Sequence, residues 1–237
     1  MNPVRLKKGE KRQPNWNELV SDLVNNIEEY HKHFYERKNF TGPSLHFHNR
    51  ALSASDTEKS EMIYAVLSSW GMHRMGRGGP KMKDYEIFSE SILKILDRIK
   101  VFEPKKLEDI SENEMDGLKE IFNTLDPMKT KIKIVAVSKI LAHYLPNLIA
   151  PIDNEYTFQF INEVRGNTGR PRNWTEFDLF KSIHLNLFKE VIVNEKFKSL
   201  AEEWMKNSEF RWDTSFPKIV DNLIIGKIGD FKKEQQA

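Results

Sequence analysis

Cysteine is absent from this sequence, and its absence excludes several kinds of site at once. A chain without thiols forms no disulfide, no thiolate metal site, no iron–sulfur cluster and no cysteine nucleophile. Structural disulfides belong to oxidising compartments, so a chain without cysteine fits the cytoplasm. We therefore expect a cytoplasmic protein.

Long apolar runs are also lacking. No uninterrupted run approaches the roughly 20 residues that a membrane-spanning helix needs. The N-terminal sequence MNPVRLKKGEKRQP is basic but has no apolar core behind it, so it does not form a secretory signal. We expect a soluble protein without a membrane partner.

Strand-like alternation is missing over any useful length, whereas helical periodicity runs from end to end. The 237 residues are 39% hydrophobic and include 15 Phe and 5 Trp, which is enough for a packed core. The sequence therefore predicts an all-α fold, a compact multi-helix globule that is either one body or two lobes flanking a cleft. We expect a flexible basic tail at residues 1–13, one α-helical domain at 14–230 and a polar tail at 231–237.

Capping pairs, glycines and prolines predict where helices begin and end. The expected helix starts are Asn15 with Glu18, Ser55 with Glu58, Ser111 with Glu114, and Asn173 with Glu176. Because Gly42-Pro43 is a turn signal, we expect residues 38–53 to form a loop. We expect the last helix to begin near Ser215-Phe216-Pro217 and to end at Gly226.

The segment at 131–161, KIKIVAVSKILAHYLPNLIAPIDNEYTFQFI, is the one around which we expect the chain to be organised. Its pattern predicts two helices that meet at an apolar corner containing Pro146 and Pro151. Asp153 lies where the second helix should start. Its carboxylate either caps that helix by accepting backbone hydrogen bonds or is a reactive group held among apolar neighbours.

Two short stretches of this corner, Val135-Ala136-Val137-Ser138-Lys139 and Pro151-Ile152-Asp153, resemble the helix-hairpin-helix DNA glycosylase superfamily. The resemblance implies that Asp153 stabilises the sugar cation formed as a damaged base leaves and helps to activate the nucleophile. It also implies that Lys139 is the candidate nucleophile of a strand-cleaving member. The chain departs from the family in its hairpin turn, because no glycine lies between Phe122 and Ser138.

Positive charge is concentrated in patches, although the net charge is only +2. Residues 1–12 hold five basic and one acidic side chain, and residues 165–172 hold three arginines. The segment WGMHRMGRGGPKMKD at 70–84 combines four cations with four glycines. Such patches suit a polyanion, or else they are ordinary solvated loops.

Glycines let a backbone approach a phosphate, cations neutralise the phosphate, and exposed tryptophan or histidine stacks on a base. The candidate nucleic-acid contacts are Trp70, His73, Arg74, Arg77, Lys81, Arg170 and Arg172. A plain glycine-rich linker is the alternative for the segment at 70–84.

The histidines are expected to be structural, and we expect no metal and no cofactor. The pairs His31/His33 and His46/His48 have a spacing that a metal site on a strand would use, but no third ligand accompanies them. We interpret both pairs as surface or loop residues. His143 and His184 lie on apolar helix faces and are predicted to be hydrogen-bonded core residues.

Three hypotheses about function follow, in this order. The first is an enzyme of the DNA glycosylase type that uses Asp153 and Lys139 on a base flipped from the stack. The second is a DNA- or RNA-binding protein without chemistry, and the third is a helical protein-interaction module. The first two require a nucleic-acid partner, while the lesion and the oligomeric state are left open.

Overall fold

The computed structural model describes residues 14–37, 42–76, 79–163 and 174–234. In these ranges the fold is all-α apart from one hairpin of two-residue strands, which confirms the predicted class. The helices are α1 (Trp16–Asn25), α2 (Ile27–Glu36), α3 (Pro43–Ser53), α4 (Asp56–Ser69), α5 (Tyr85–Leu93), α6 (Leu96–Lys100), α7 (Glu112–Asp116), α8 (Lys119–Thr124), α9 (Ile134–Tyr144), α10 (Thr157–Glu163), α11 (Glu176–Ile183), α12 (Lys189–Ile192), α13 (Glu195–Lys206) and α14 (Phe216–Glu234). The strands are β1 (Met75–Gly76) and β2 (Gly79–Pro80), and a π-helical turn, His184–Phe188, joins α11 to α12.

One large apolar core gathers residues from most of these helices. The longest helix, α14, packs along α2, and α3 packs against α4. Helix α9 lies deep in the molecule and buries Ile134, Ile140 and Leu141, which makes it the helix on which the site is built.

The last helix does not end at Gly226, so that prediction was wrong. Helix α14 continues to Glu234 and passes Gly226 in its middle. A Cβ atom at this position would lie 1.9 Å from the carbonyl oxygen of Tyr30 on α2. Glycine is therefore required by the close approach of two helices and does not mark a terminus.

The segment from Pro43 to Ser53 is helix α3, so the loop predicted for 38–53 was also wrong; residues 38–41 lie outside the described ranges. Pro43 occupies the first turn, where a missing N–H costs nothing. Leu45, His48 and Ala51 recur at three-residue intervals and are buried together on one face.

Two capping boxes show how local sequence sets the helix starts. Ser111 and Glu114 form the predicted box at α7. At α11 the box is formed by Thr175 and Asp178, whereas Glu176 accepts hydrogen bonds from the first amides of α9. Glu176, which the sequence pattern assigns to the start of α11, thus caps the start of α9.

In the described part of the chain, no helix combines the length and apolar character required to cross a bilayer.

Candidate active site

The corner between α9 and α10 is held in place by hydrogen bonds from neighbouring elements. Ser138 on α9 accepts a hydrogen bond from the Ile152 amide at 2.9 Å through its hydroxyl oxygen. His184, in the π-helical turn, accepts one from the Ala150 amide at 3.1 Å through Nε2. The chain on both sides of Pro151 is therefore fixed before it reaches Asp153.

Asp153 is paired with Lys139. Lys139 Nζ lies 2.5 Å from Oδ2 of Asp153, and the two side chains are 6% and 26% exposed respectively. The other carboxylate oxygen, Oδ1, accepts a hydrogen bond from the Glu155 amide at 2.7 Å. Asp153 thus stabilises the turn before α10, as the capping interpretation predicts, and also pairs with a buried lysine.

Trp70 completes this cluster from the end of α4. Lys139 Nζ lies 5.2 Å from the centroid of the Trp70 ring, which is the geometry of a cation–π contact. Two residues singled out at the corner and one from the glycine-rich segment are therefore neighbours in space.

The other predicted nucleic-acid contacts separate into two groups. His73, Arg74 and Lys81 are exposed and follow Trp70 along the chain. Arg77, Arg170 and Arg172 lie outside the described residues.

Gly71 turns the chain sharply after Trp70. It has a φ of +77°, and the guanidinium of Arg74 lies against it. The His73 ring donates a hydrogen bond from Nδ1 to the Ser68 carbonyl at 2.6 Å. Lys83, one of the four cations of this segment, forms an ion pair with Asp126. Because Asp126 neutralises its charge, Lys83 adds little positive charge to the patch.

A second buried lysine pair, missed by sequence reasoning, lies on α14. Lys218 Nζ is 2.7 Å from Oδ2 of Asp221 and 2.5 Å from Oδ1 of Asn222. Asn222 in turn donates to Asp213 at 2.7 Å, and Asp213 lies 2.7 Å from Nε2 of His31. The signal for this network was the sequence FPKIVDNLIIG, in which charged residues are embedded in an apolar helix.

The interpretation of His31 and His48 as surface or loop residues was wrong, because both are buried. His31 stacks on Trp204 with ring centroids 3.6 Å apart. His48 lies 5.0 Å from Trp212 by centroids and pairs with His143. Residues two apart on a helix face different directions, so His46 is exposed on α3 while His48 points inward.

Burial changes the protonation of this interior cluster. Desolvation lowers the pKa of His143 and that of His184 to about 4, and it lowers the pKa of His48 well below its usual value. His143 and His184 are the hydrogen-bonded core histidines that the sequence predicts. Burial raises the pKa of Asp221, and the neighbouring Lys218 opposes that rise.

No group of three or more His, Cys, Asp or Glu side chains suited to a metal ion occurs among the described residues. No family model, curated protein or solved structure matches this chain. The function must therefore be argued from the geometry of the site.

Proposed function

We propose that this protein binds nucleic acid and releases a base from DNA, with Asp153 and Lys139 as the reacting groups. The observation that carries the proposal is the Lys139–Asp153 pair. Lys139 Nζ lies 2.5 Å from Asp153 Oδ2, and Nζ also lies over the Trp70 ring. An amine and a carboxylate at this distance in a largely apolar corner are the pair that imine chemistry at a sugar carbon requires.

The two groups would divide the chemistry between charge stabilisation and attack. As the bond between sugar C1′ and the base breaks, the base leaves with the electron pair and takes up a proton, and the Asp153 carboxylate stabilises the cation left on the sugar. In the strand-cleaving route, the Lys139 ammonium first passes one proton to the departing base, the resulting amine attacks C1′, and the proton then lost from its nitrogen passes to Asp153. The sugar ring then opens and an imine forms between Nζ and C1′.

Exposed polar and cationic side chains in the segment that begins at Trp70 support a nucleic-acid partner. His73 and Arg74 are exposed and lie three and four residues after Trp70, whose ring contacts Lys139, and Lys81 is exposed further along the same segment. Phosphate contacts from such cations position the backbone, and the stacking rings of His73 and Trp70 suit an unpaired base. The same segment would thus hold the strand and lead the base to the corner.

Asp153→Asn is the first test. Wild-type protein should release a base from at least one of a panel of DNA duplexes that each carry a single damaged base, and Asp153→Asn should lose that activity while retaining DNA affinity. Glu155→Gln is the matched control, because Glu155 is exposed two residues away and its loss removes the same charge. Full activity in Asp153→Asn would refute the assignment.

Lys139 is tested by trapping. If it forms an imine with the sugar, borohydride should link the protein covalently to damaged DNA, and Lys139→Gln should abolish the link. Lys133→Gln is the control, because its amine is held by the carbonyls of Asn123 and Leu125 outside the corner. Base release without a trapped complex would limit the proposal to hydrolysis assisted by Asp153.

A specific observation favours binding without catalysis as the second candidate. Both oxygens of Asp153 are engaged, one by Lys139 and the other by the turn amide of Glu155. A carboxylate with both oxygens engaged in this way fits a purely structural role. Salt-sensitive DNA or RNA binding without base release would select a binding protein, and no binding at low salt would select a helical protein-interaction module.

A further inference from the structure

A small cavity lies beside the Lys139–Asp153 corner, bounded by α3, α9 and the start of α14. Its volume is about 10 Å³, the space of one water molecule. The polar residues His48, Thr214 and Lys218 line it, together with Trp70, His143 and Pro151. Thr214 is exposed, so the cavity lies just beneath the surface.

The hydrogen bonds around the cavity fix the protons of two histidine rings. His143 Nδ1 lies 2.7 Å from the Lys139 carbonyl oxygen, and a carbonyl only accepts, so Nδ1 of His143 carries the proton. In the neutral ring Nε2 of His143 is then an acceptor, and it lies 3.0 Å from Nδ1 of His48. His48 must therefore donate from Nδ1, which leaves a lone pair on its Nε2.

That lone pair is poorly used by the protein itself. The hydrogen bond from Thr214 Oγ1 to Nε2 of His48 measures 3.4 Å, which is long for a hydroxyl donor. Lys218 and Thr214 line the same cavity. One water can donate to His48 Nε2 and interact with these two groups, which provides the partners that a buried water requires.

We propose that this cavity is a water site in which Nε2 of His48 is the proton acceptor. The site lies next to the Asp153 corner, because Pro151 and Trp70 belong to both. The inference has a second part, a role in catalysis, and that part rests on the proposed function. Asp153 is occupied by Lys139 and by the Glu155 amide, so His48 supplies the base that hydrolysis needs.

The proton balance of that step is complete. The water oxygen bonds to sugar C1′ while one O–H bond breaks, and the proton moves to His48 Nε2. The base departs with the electron pair of its bond to C1′ and is protonated by solvent. His143 keeps His48 in the accepting tautomer through the hydrogen bond to Nδ1, so His143 is a positioning residue.

Nitrogen-15 NMR of the histidine rings tests the resting site without any substrate. At neutral pH, His48 and His143 should both carry the proton on Nδ1, with Nε2 unprotonated, and a crystal structure should show one water about 3 Å from His48 Nε2. A proton on His48 Nε2, or an empty cavity at a resolution that shows ordered water, would overturn the proposal.

The catalytic extension is tested with His48→Asn. The Asn amide can still donate to His143 but offers no base to the cavity, so base release should fall about 100-fold and lose its acidic pH limb. The exposed His46→Asn on the same helix is the control. Unchanged activity and pH profile in His48→Asn, with Asp153→Asn inactive, would remove His48 from the chemistry and leave the proposed function intact.

An inactive wild-type protein would refute the proposed function together with the catalytic extension. The ring tautomers of His48 and His143 and the water in the cavity would still be measured by NMR and crystallography, and they alone decide whether the resting water site exists. The two failures are therefore distinguishable.

Discussion

In the described part of the chain, two buried lysines pair with carboxylates, and each lysine lies against a tryptophan ring. Lys139 lies 5.2 Å from the Trp70 centroid, and Lys218 lies 5.2 Å from the Trp212 centroid. They differ in the origin of the carboxylate. Asp221 follows Lys218 on the same helix, whereas Asp153 is 14 residues from Lys139 and lies in a turn.

Exposure and connectivity separate the pairs further. The Asp221 side chain is 5% exposed and its pair is linked through Asn222 and Asp213 to His31. The Asp153 side chain is 26% exposed. A fully connected buried network makes a core unique and rigid, while a pair at a partly open turn can exchange partners. We infer that the Lys218 pair holds the fold and that the Lys139 pair is available for chemistry.

The largest effect should come from breaking the α14 pair. Asp221→Asn keeps the shape of the side chain but leaves the Lys218 charge buried without its carboxylate, so we expect a loss of about 3–5 kcal/mol in the free energy of unfolding. Urea denaturation measures this. The double variant Lys218→Met/Asp221→Leu should recover most of the loss, because apolar residues replace both charges. If Asp221→Asn lost less unfolding free energy than Asp153→Asn, our assignment of the two pairs would be reversed.

Acid should destabilise the protein through its buried histidines. The pKa of His143 and that of His184 are about 4 in the folded protein and near 6.5 when unfolded, so the unfolded chain binds more protons between these values. Stability should therefore be complete above pH 6.5 and decline toward pH 4, by on the order of 2–3 kcal/mol for each histidine. The raised pKa of Asp221 acts in the opposite direction.

Urea titrations at pH 7, 5 and 4 would measure this decline. His143→Gln should lose less stability between pH 7 and pH 4 than wild type does, because one protonation site is removed. His46→Gln should decline as wild type does, since His46 is exposed. A stability that rises toward pH 4 would contradict the buried neutral state of these rings.

A smaller loss is expected where α14 meets α2. Gly226→Ala places a Cβ atom 1.9 Å from the Tyr30 carbonyl oxygen, and the backbone of α2 must shift, so we expect a loss of about 1–3 kcal/mol. Gly229→Ala is the matched control, because there the Cβ meets the guanidinium of Arg37 at 2.1 Å, the movable end of a flexible side chain. Equal losses would show that the contact between α14 and α2 at Gly226 is less constrained than the structure indicates.

The difference between the regions also explains what the sequence can predict. The α9–α10 corner, the Ser111–Glu114 box and the core positions of His143 and His184 follow from local spacing and apolar pattern. The Lys218 network does not, because His31 and Asp213 are 182 residues apart and meet only through tertiary packing. Gly226 was misinterpreted for the same reason, since the backbone that requires it belongs to α2.

The smallest effect on stability should come from the pair assigned to chemistry. Asp153→Asn removes one charge at a turn where a quarter of the side chain is exposed, and its amide oxygen can still accept from the Glu155 amide. Lys139 is as buried as Lys218 and likewise keeps its tryptophan ring, but water that reaches the partly exposed turn can solvate its charge, whereas the Asp221 side chain is only 5% exposed. We therefore expect a loss of about 1–2 kcal/mol, less than for Asp221→Asn. Urea denaturation of both variants at pH 7 compares them directly. A loss equal to that of Asp221→Asn would make both pairs structural and would favour binding without catalysis.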